Sequence, residues 1–152
     1  MHISDLLSPG NTFADVHAAD KASLLKELSH RAAWKAGIEG EVVTGEILKR
    51  EEVGSTGIGG GVAIPHARLP RLQKPFGLFA RLDRAIDFDA VDDQPVDLVF
   101  LLLLPDDPEG QQLNALACVA RELRDAEALE RIRGAHGDEL YRAIITSEGK
   151  EE

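Results

Sequence analysis

The stretch Gly54-Ser-Thr-Gly-Ile-Gly-Gly-Gly-Val-Ala-Ile-Pro-His66 holds five glycines in its first eight residues, then a short apolar run that ends at a proline and delivers a histidine. Glycines free the backbone for positive φ, so successive amides can turn toward an anion that comes close because no side chain is in the way. Pro65 fixes its own φ and pushes Ile64 toward an extended conformation, so that Gly61 to Ile64 reads as a short strand that ends at Pro65 and delivers His66. A neutral imidazole there has a nitrogen lone pair that can attack phosphorus. The stretch therefore predicts a turn, a strand and a phosphate acceptor in one place.

Working outward, the pattern before this stretch is helical. Asp20 can cap a helix with apolar positions at Leu24, Leu25, Leu28 and Ala32, with Trp34 continuing the series and Gly37 ending it. Val42, Val43, Ile47 and Leu48 repeat the spacing and bring Arg50 to a helix end facing the glycines. After it, strand-like runs follow at 61–64, 77–82 and 96–104, interrupted by Pro70, Pro75 and the acidic turn 87–93. Helical spacing then returns in three segments: Leu113 to Leu123, Ala128 to Ile132, and Leu140 to Ile144, the last capped by Asp138. The run Leu98 to Leu104 is apolar throughout, which marks a strand buried on both faces. Helices, a strand-rich middle and more helices imply an α/β fold in which helices cover a sheet.

The 152 residues suit one compact domain over 1–146, with 147–152 expected to fray. With 27 acidic residues against 17 Lys and Arg, the formal charge is -10, so no basic field invites nucleic acid or anionic lipid. The expected partners are proteins or small molecules. No apolar run approaches the roughly 20 residues of a membrane helix, and the chain opens without a basic and apolar leader. The single Cys118, in an apolar helical pattern, fits core packing in a reducing cytoplasm.

Other chemistries are poorly served. The glycines lack the Gly-Lys-Ser/Thr ending of a nucleotide loop and precede a strand where a dinucleotide site would follow one. His2, His17, His30 and His136 show no ligand spacing, so no metal is expected, and no G-x-S-x-G elbow suggests a hydrolase. Arg50 offers a planar fork for phosphate oxygens, against the bland alternative of a solvated helix end. Ser55 and Thr56 either donate to a phosphoryl group or merely shape the turn.

The segment Ile47-Leu-Lys-Arg-Glu-Glu-Val-Gly-Ser-Thr-Gly-Ile-Gly-Gly-Gly-Val-Ala-Ile-Pro-His-Ala-Arg68 resembles the signature of the fructose/mannitol-type IIA domains of the phosphoenolpyruvate-dependent sugar phosphotransferase system, in particular their nitrogen-regulatory branch. Ile3-Ser-Asp-Leu-Leu, the strand ending at Pro105 and Leu113-Asn-Ala-Leu-Ala-Cys-Val-Ala-Arg-Glu-Leu-Arg-Asp125 extend the likeness over nearly the whole chain. The resemblance implies an α/β sandwich with a mixed, mostly five-stranded sheet. It also implies a cytoplasmic phosphocarrier without cofactor or metal, in which His66 takes a phosphoryl group on its tele nitrogen from a histidine-phosphorylated HPr-like protein. Arg50 would stabilise the phosphate charge, with Ser55, Thr56, Gly57, Gly59 and Gln112 as phosphate-binding positions.

Two departures from the family pattern stand out. Gln112 occupies the place of a second histidine, and Gly60 stands where asparagine is common. A neutral amide can hydrogen-bond the ring or its phosphate but does not titrate near neutrality. Three functions remain open at this point: a regulator that binds partners according to its phosphorylation state, a sugar-specific component passing phosphate to a IIB domain, or a module that holds an anion noncovalently.

Overall fold

The computed structural model describes residues 1–106 and 110–146, and of residues 111–113 the backbone alone. The expected frayed tail therefore lies outside the described residues. Six strands form one mixed sheet: β1 (Thr12–Val16), β2 (Gly57–Gly59), β3 (Val62–Ala63), β4 (His66–Arg68), β5 (Phe76–Ile86) and β6 (Val96–Leu104). Five α-helices pack on it: α1 (Lys21–Ala36), α2 (Gly40–Val53), α3 (Gln111–Glu122), α4 (Ala126–Gly134) and α5 (Leu140–Ile145).

The expected α/β class holds, with the sheet in the order β1-β5-β6-β3-β2 and β4 paired to β6. The sixth strand arises from Pro65. Val62 and Ala63 pair with Leu98 and Val99, whereas His66 to Arg68 pair with Leu102 to Leu104. What reads as one strand edge is thus two collinear pieces along β6, broken at Ile64-Pro65 where the ladder loses a donor.

β6 is buried along almost its whole length, as its unbroken apolar sequence requires. Alternation sends Val99, Leu101 and Leu103 to one core with Leu24, Leu28, Val43 and Ile47 of α1 and α2. Leu98, Phe100, Leu102 and Leu104 go to a second core with Val119, Ile132 and Ile144 of α3 to α5. A sheet with helices on both faces is the only arrangement that buries such a strand on both sides.

Helix α1 begins where expected, with the Asp20 carboxylate accepting from the Ser23 amide at 2.8 Å, and ends at Gly37 in the left-handed conformation that only glycine adopts without strain. Several expectations need correction. Trp34 is 85% exposed, because the inward stripe of α1 passes through Ala32 and Ala33 instead. In α2 only Val43 and Ile47 turn fully inward, leaving Leu48 partly exposed. Asp138 caps nothing; it lies within a 3-10 turn, Gly137–Glu139, that leads into α5. β1 was not anticipated: Thr-Phe-Ala-Asp-Val alternates poorly, Asp15 has φ 56°, and the register to β5 shifts between Phe13 and Val16.

Candidate functional site

His66 opens β4 at the edge of the sheet, beside the last turn of α2, and both of its ring nitrogens are engaged. Nδ1 lies 2.9 Å from the carbonyl oxygen of Ile64, an acceptor that can only receive a proton, so Nδ1 carries the hydrogen. Arg50 donates from Nε to His66 Nε2 at 3.3 Å, and a guanidinium can only donate, so Nε2 holds the lone pair. Two partners thus select one tautomer.

The break at Pro65 makes this possible. The Ile64 amide pairs with the Thr56 carbonyl, and the Pro65 carbonyl receives the Leu102 amide, which leaves the Ile64 carbonyl turned toward the ring. Burial of the imidazole is the main cause that lowers its pKa below the ordinary histidine value. The Ile64 bond opposes this, while the Arg50 charge lowers the pKa further and Glu51 raises it. At neutral pH the ring is therefore neutral, with its lone pair on Nε2.

Arg50 is held by its neighbours too, with Nη1 donating to the Gly54 carbonyl at 2.8 Å at the end of α2. Beneath it lies a network the sequence reading did not find. The Glu51 carboxylate, 6% exposed, accepts from Lys21 Nζ at 2.9 Å, from the Thr56 amide at 3.2 Å and from the Thr56 hydroxyl. Lys21 also donates to the Phe88 carbonyl at 3.1 Å and sits 4.6 Å from the centroid of that ring. A basic residue in the first turn of α1, against the helix dipole, is the one signal in the sequence that Lys21 has a tertiary partner.

The structure brings His66 and Arg50 into contact, while Ser55, Thr56 and Gly57 are hydrogen-bonded to other partners. Ser55 donates its hydroxyl to the Phe88 carbonyl at 2.9 Å and receives the Gly57 amide at 3.1 Å, so both are committed to the turn. Thr56 is bound to Glu51. The glycines form a hairpin, β2 to β3, in which Gly59 pairs with Val62 and so lies four β6 positions from His66, about 13 Å along the sheet. The hairpin tip is fixed by Arg133, which grips Asp97 with two bonds of 2.8 and 3.0 Å and donates to the Gly60 carbonyl at 2.7 Å. At Gly61 a Cβ would fall 2.8 Å from Asp97 Oδ1, and φ is +80°. The side chain of Gln112 lies outside the described residues.

Around Nε2 opens a groove of about 450 Å³, lined by Arg50, Val53, His66 and Arg68, with Leu104 and Leu116 as its floor.

Residues 5–148 match the family model described as phosphoenolpyruvate-dependent sugar phosphotransferase system, EIIA 2. The chain belongs to this EIIA 2 family. Among its relatives is the nitrogen regulatory protein of Bradyrhizobium diazoefficiens, 43% identical over 145 residues, covering 95% of each chain. That of Escherichia coli K12 is 41% identical over 151 residues, covering 98% of this chain and 93% of the relative. The crystal structure of the nitrogen regulatory protein IIA-Ntr from Neisseria meningitidis superposes with a TM-score of 0.87 at 31% identity, covering 94% of this chain and 98% of that one. Within the EIIA 2 frame, the His66 groove is the site to explain.

Proposed function

We propose that this protein is a cytoplasmic phosphocarrier of regulatory type, which accepts a phosphoryl group on His66 Nε2 from a histidine-phosphorylated HPr-like protein and controls partners according to its phosphorylation state. One observation carries the reading: Nδ1 is protonated against Ile64 while Nε2 accepts from Arg50 at the wall of an open groove. In the transfer, the Nε2 lone pair forms a bond to phosphorus as the donor's P–N bond breaks, its electron pair returning to the donor ring. Each ring keeps the proton on its other nitrogen, so no base is needed.

Phosphoryl transfer depends on alignment and on stabilising charge over three equatorial oxygens. Arg50 must then turn from Nε2 to those oxygens. Ser55, Thr56, Gly57 and Gly59 serve this reading by fixing the path of the chain between Arg50 and His66; direct phosphate contact by either hydroxyl would require it to leave Phe88 or Glu51. Gln112 is proposed to hydrogen-bond the phosphoryl group as a neutral donor.

The regulatory reading is supported by the near end-to-end likeness to nitrogen regulatory proteins, and the absence of any helix among the described residues long and apolar enough to cross a membrane is compatible with it. The alternative is a sugar-specific component that passes phosphate to a IIB domain. Labelling by a phosphorylated HPr-like carrier tests the core of the proposal: wild type should gain acid-labile, alkali-stable phosphate and His66→Ala should gain none. Labelling of His66→Ala at the wild-type level refutes the acceptor assignment. Onward transfer to a IIB domain, with equal affinity of every recovered partner for both states, would select the sugar-transport alternative.

A further inference from the structure

Strand alternation puts residues two apart on the same face, and on β4 that pairs Arg68 with His66, while Ala67 between them turns into the core beneath α1 and α2. Two residues along a strand span about 6.6 Å, within the reach of an arginine side chain. Both side chains line the same groove.

Arg50 cannot by itself satisfy a phosphoryl group at Nε2. Its Nη1 is committed to the Gly54 carbonyl, so the rest of one fork must serve three equatorial oxygens. Arg68 is differently placed. Its side chain is 60% exposed, and its ion pair with Asp106 is long, at 3.9 Å, with that carboxylate 64% exposed. Such a pair is worth little in water and is readily given up. Among the described residues that line the groove, Lys49, Arg50 and Arg68 stand with one acid, Glu46, and Asp106 lies beside Arg68, in a chain of formal charge -10.

We propose that Arg68 is a second phosphate-binding residue of the His66 site, leaving Asp106 to close on the phosphoryl oxygens from the strand while Arg50 does so from the helix. The inference rests on the reading of His66 as the acceptor. It adds a contact made only once phosphate arrives, one that stabilises both the transferring phosphoryl group and the phosphorylated ring; removal should therefore slow acquisition and shorten the lifetime of the product.

The test uses the isolated full chain and the small donor phosphoramidate, so that no partner surface contributes. His66 Nε2 forms its bond to phosphorus as the donor's P–N bond breaks and ammonia leaves with the electron pair. Intact mass and the phosphorus-31 resonance follow wild type, Arg68→Ala, Arg68→Lys and Lys26→Ala, a control at an exposed lysine of α1 that does not line the groove. Arg68→Ala should acquire phosphate about tenfold more slowly and shift the phosphohistidine resonance, Arg68→Lys should recover part of the rate, and Lys26→Ala should stay within about twofold of wild type. Wild-type labelling with an unchanged rate and resonance in Arg68→Ala overturns the proposal alone, as does an equal loss in Lys26→Ala, which would reduce the effect to general charge. A wild type that takes no phosphate on His66 overturns the acceptor reading and this proposal with it.

Discussion

Replacing Glu51 should damage this protein more than any surface carboxylate. The Glu51 carboxylate, nearly buried, receives the Lys21 ammonium and both donors of Thr56, itself a buried residue. In Glu51→Ala the Thr56 amide and hydroxyl lose their acceptor, and each buried donor left unpaired costs about 1–3 kcal/mol. Lys21 is partly exposed and keeps the Phe88 carbonyl, so its share is smaller. After relaxation the loss should be about 3 kcal/mol, within the range for breaking a buried ion pair. With a urea m-value of about 2 kcal/mol/M, the unfolding midpoint should fall by about 1.5 M. Glu51→Gln, which keeps one carbonyl acceptor, should lose about half as much. Thr56→Val should cost less in Glu51→Ala than in wild type, a coupling of about 1 kcal/mol in a double-mutant cycle. A midpoint for Glu51→Ala within 0.2 M of wild type, roughly the resolution of such curves, would refute the claim that this network ties the glycine hairpin to α2.

Arg50→Lys keeps the charge but loses the fork, and transfer to His66 should slow by about one to two orders of magnitude; a parental rate in Arg50→Ala would make the residue a helix end and nothing more. Because burial lowers the pKa of His66, its phosphorylation rate should hold steady as pH falls from 8 to the usual histidine value of about 6.5 and drop only below it; an NMR titration midpoint at or above that value contradicts the geometry. The same shift bears on stability. The unfolded ring binds its proton first, so the contribution of His66 is complete above about 6.5 and is lost as pH falls from there through the folded value, visible as a declining melting temperature over that window.

Much of the architecture could be read from local chemistry. The apolar run of β6 announced a strand covered on both faces, and Asp20 and Gly37 marked the ends of α1 to the residue. That Arg50 meets His66 was legible because α2 ends facing the glycines and Pro65 constrains the backbone that delivers the histidine. β1 escaped because its pairing with β5 is a long-range event, completed across a residue at positive φ, and no alternation records it. The glycines misled in a subtler way. Their freedom is used for a hairpin anchored by Arg133 and Asp97, partners more than 30 residues away whose charges carry no local sign of where they point.

A carbonyl oxygen belongs to every residue, and the proton on His66 Nδ1 is assigned by one. In many sites a carboxylate sets the histidine tautomer, and a single codon change can delete it. Here no substitution at position 64 removes the Ile64 oxygen; only a change that redirects the main chain, such as relief of the Pro65 break, can do so. The Nδ1 proton is therefore sheltered from substitution at position 64, and other side chains around the groove are free to drift toward new partners without removing the oxygen that holds it.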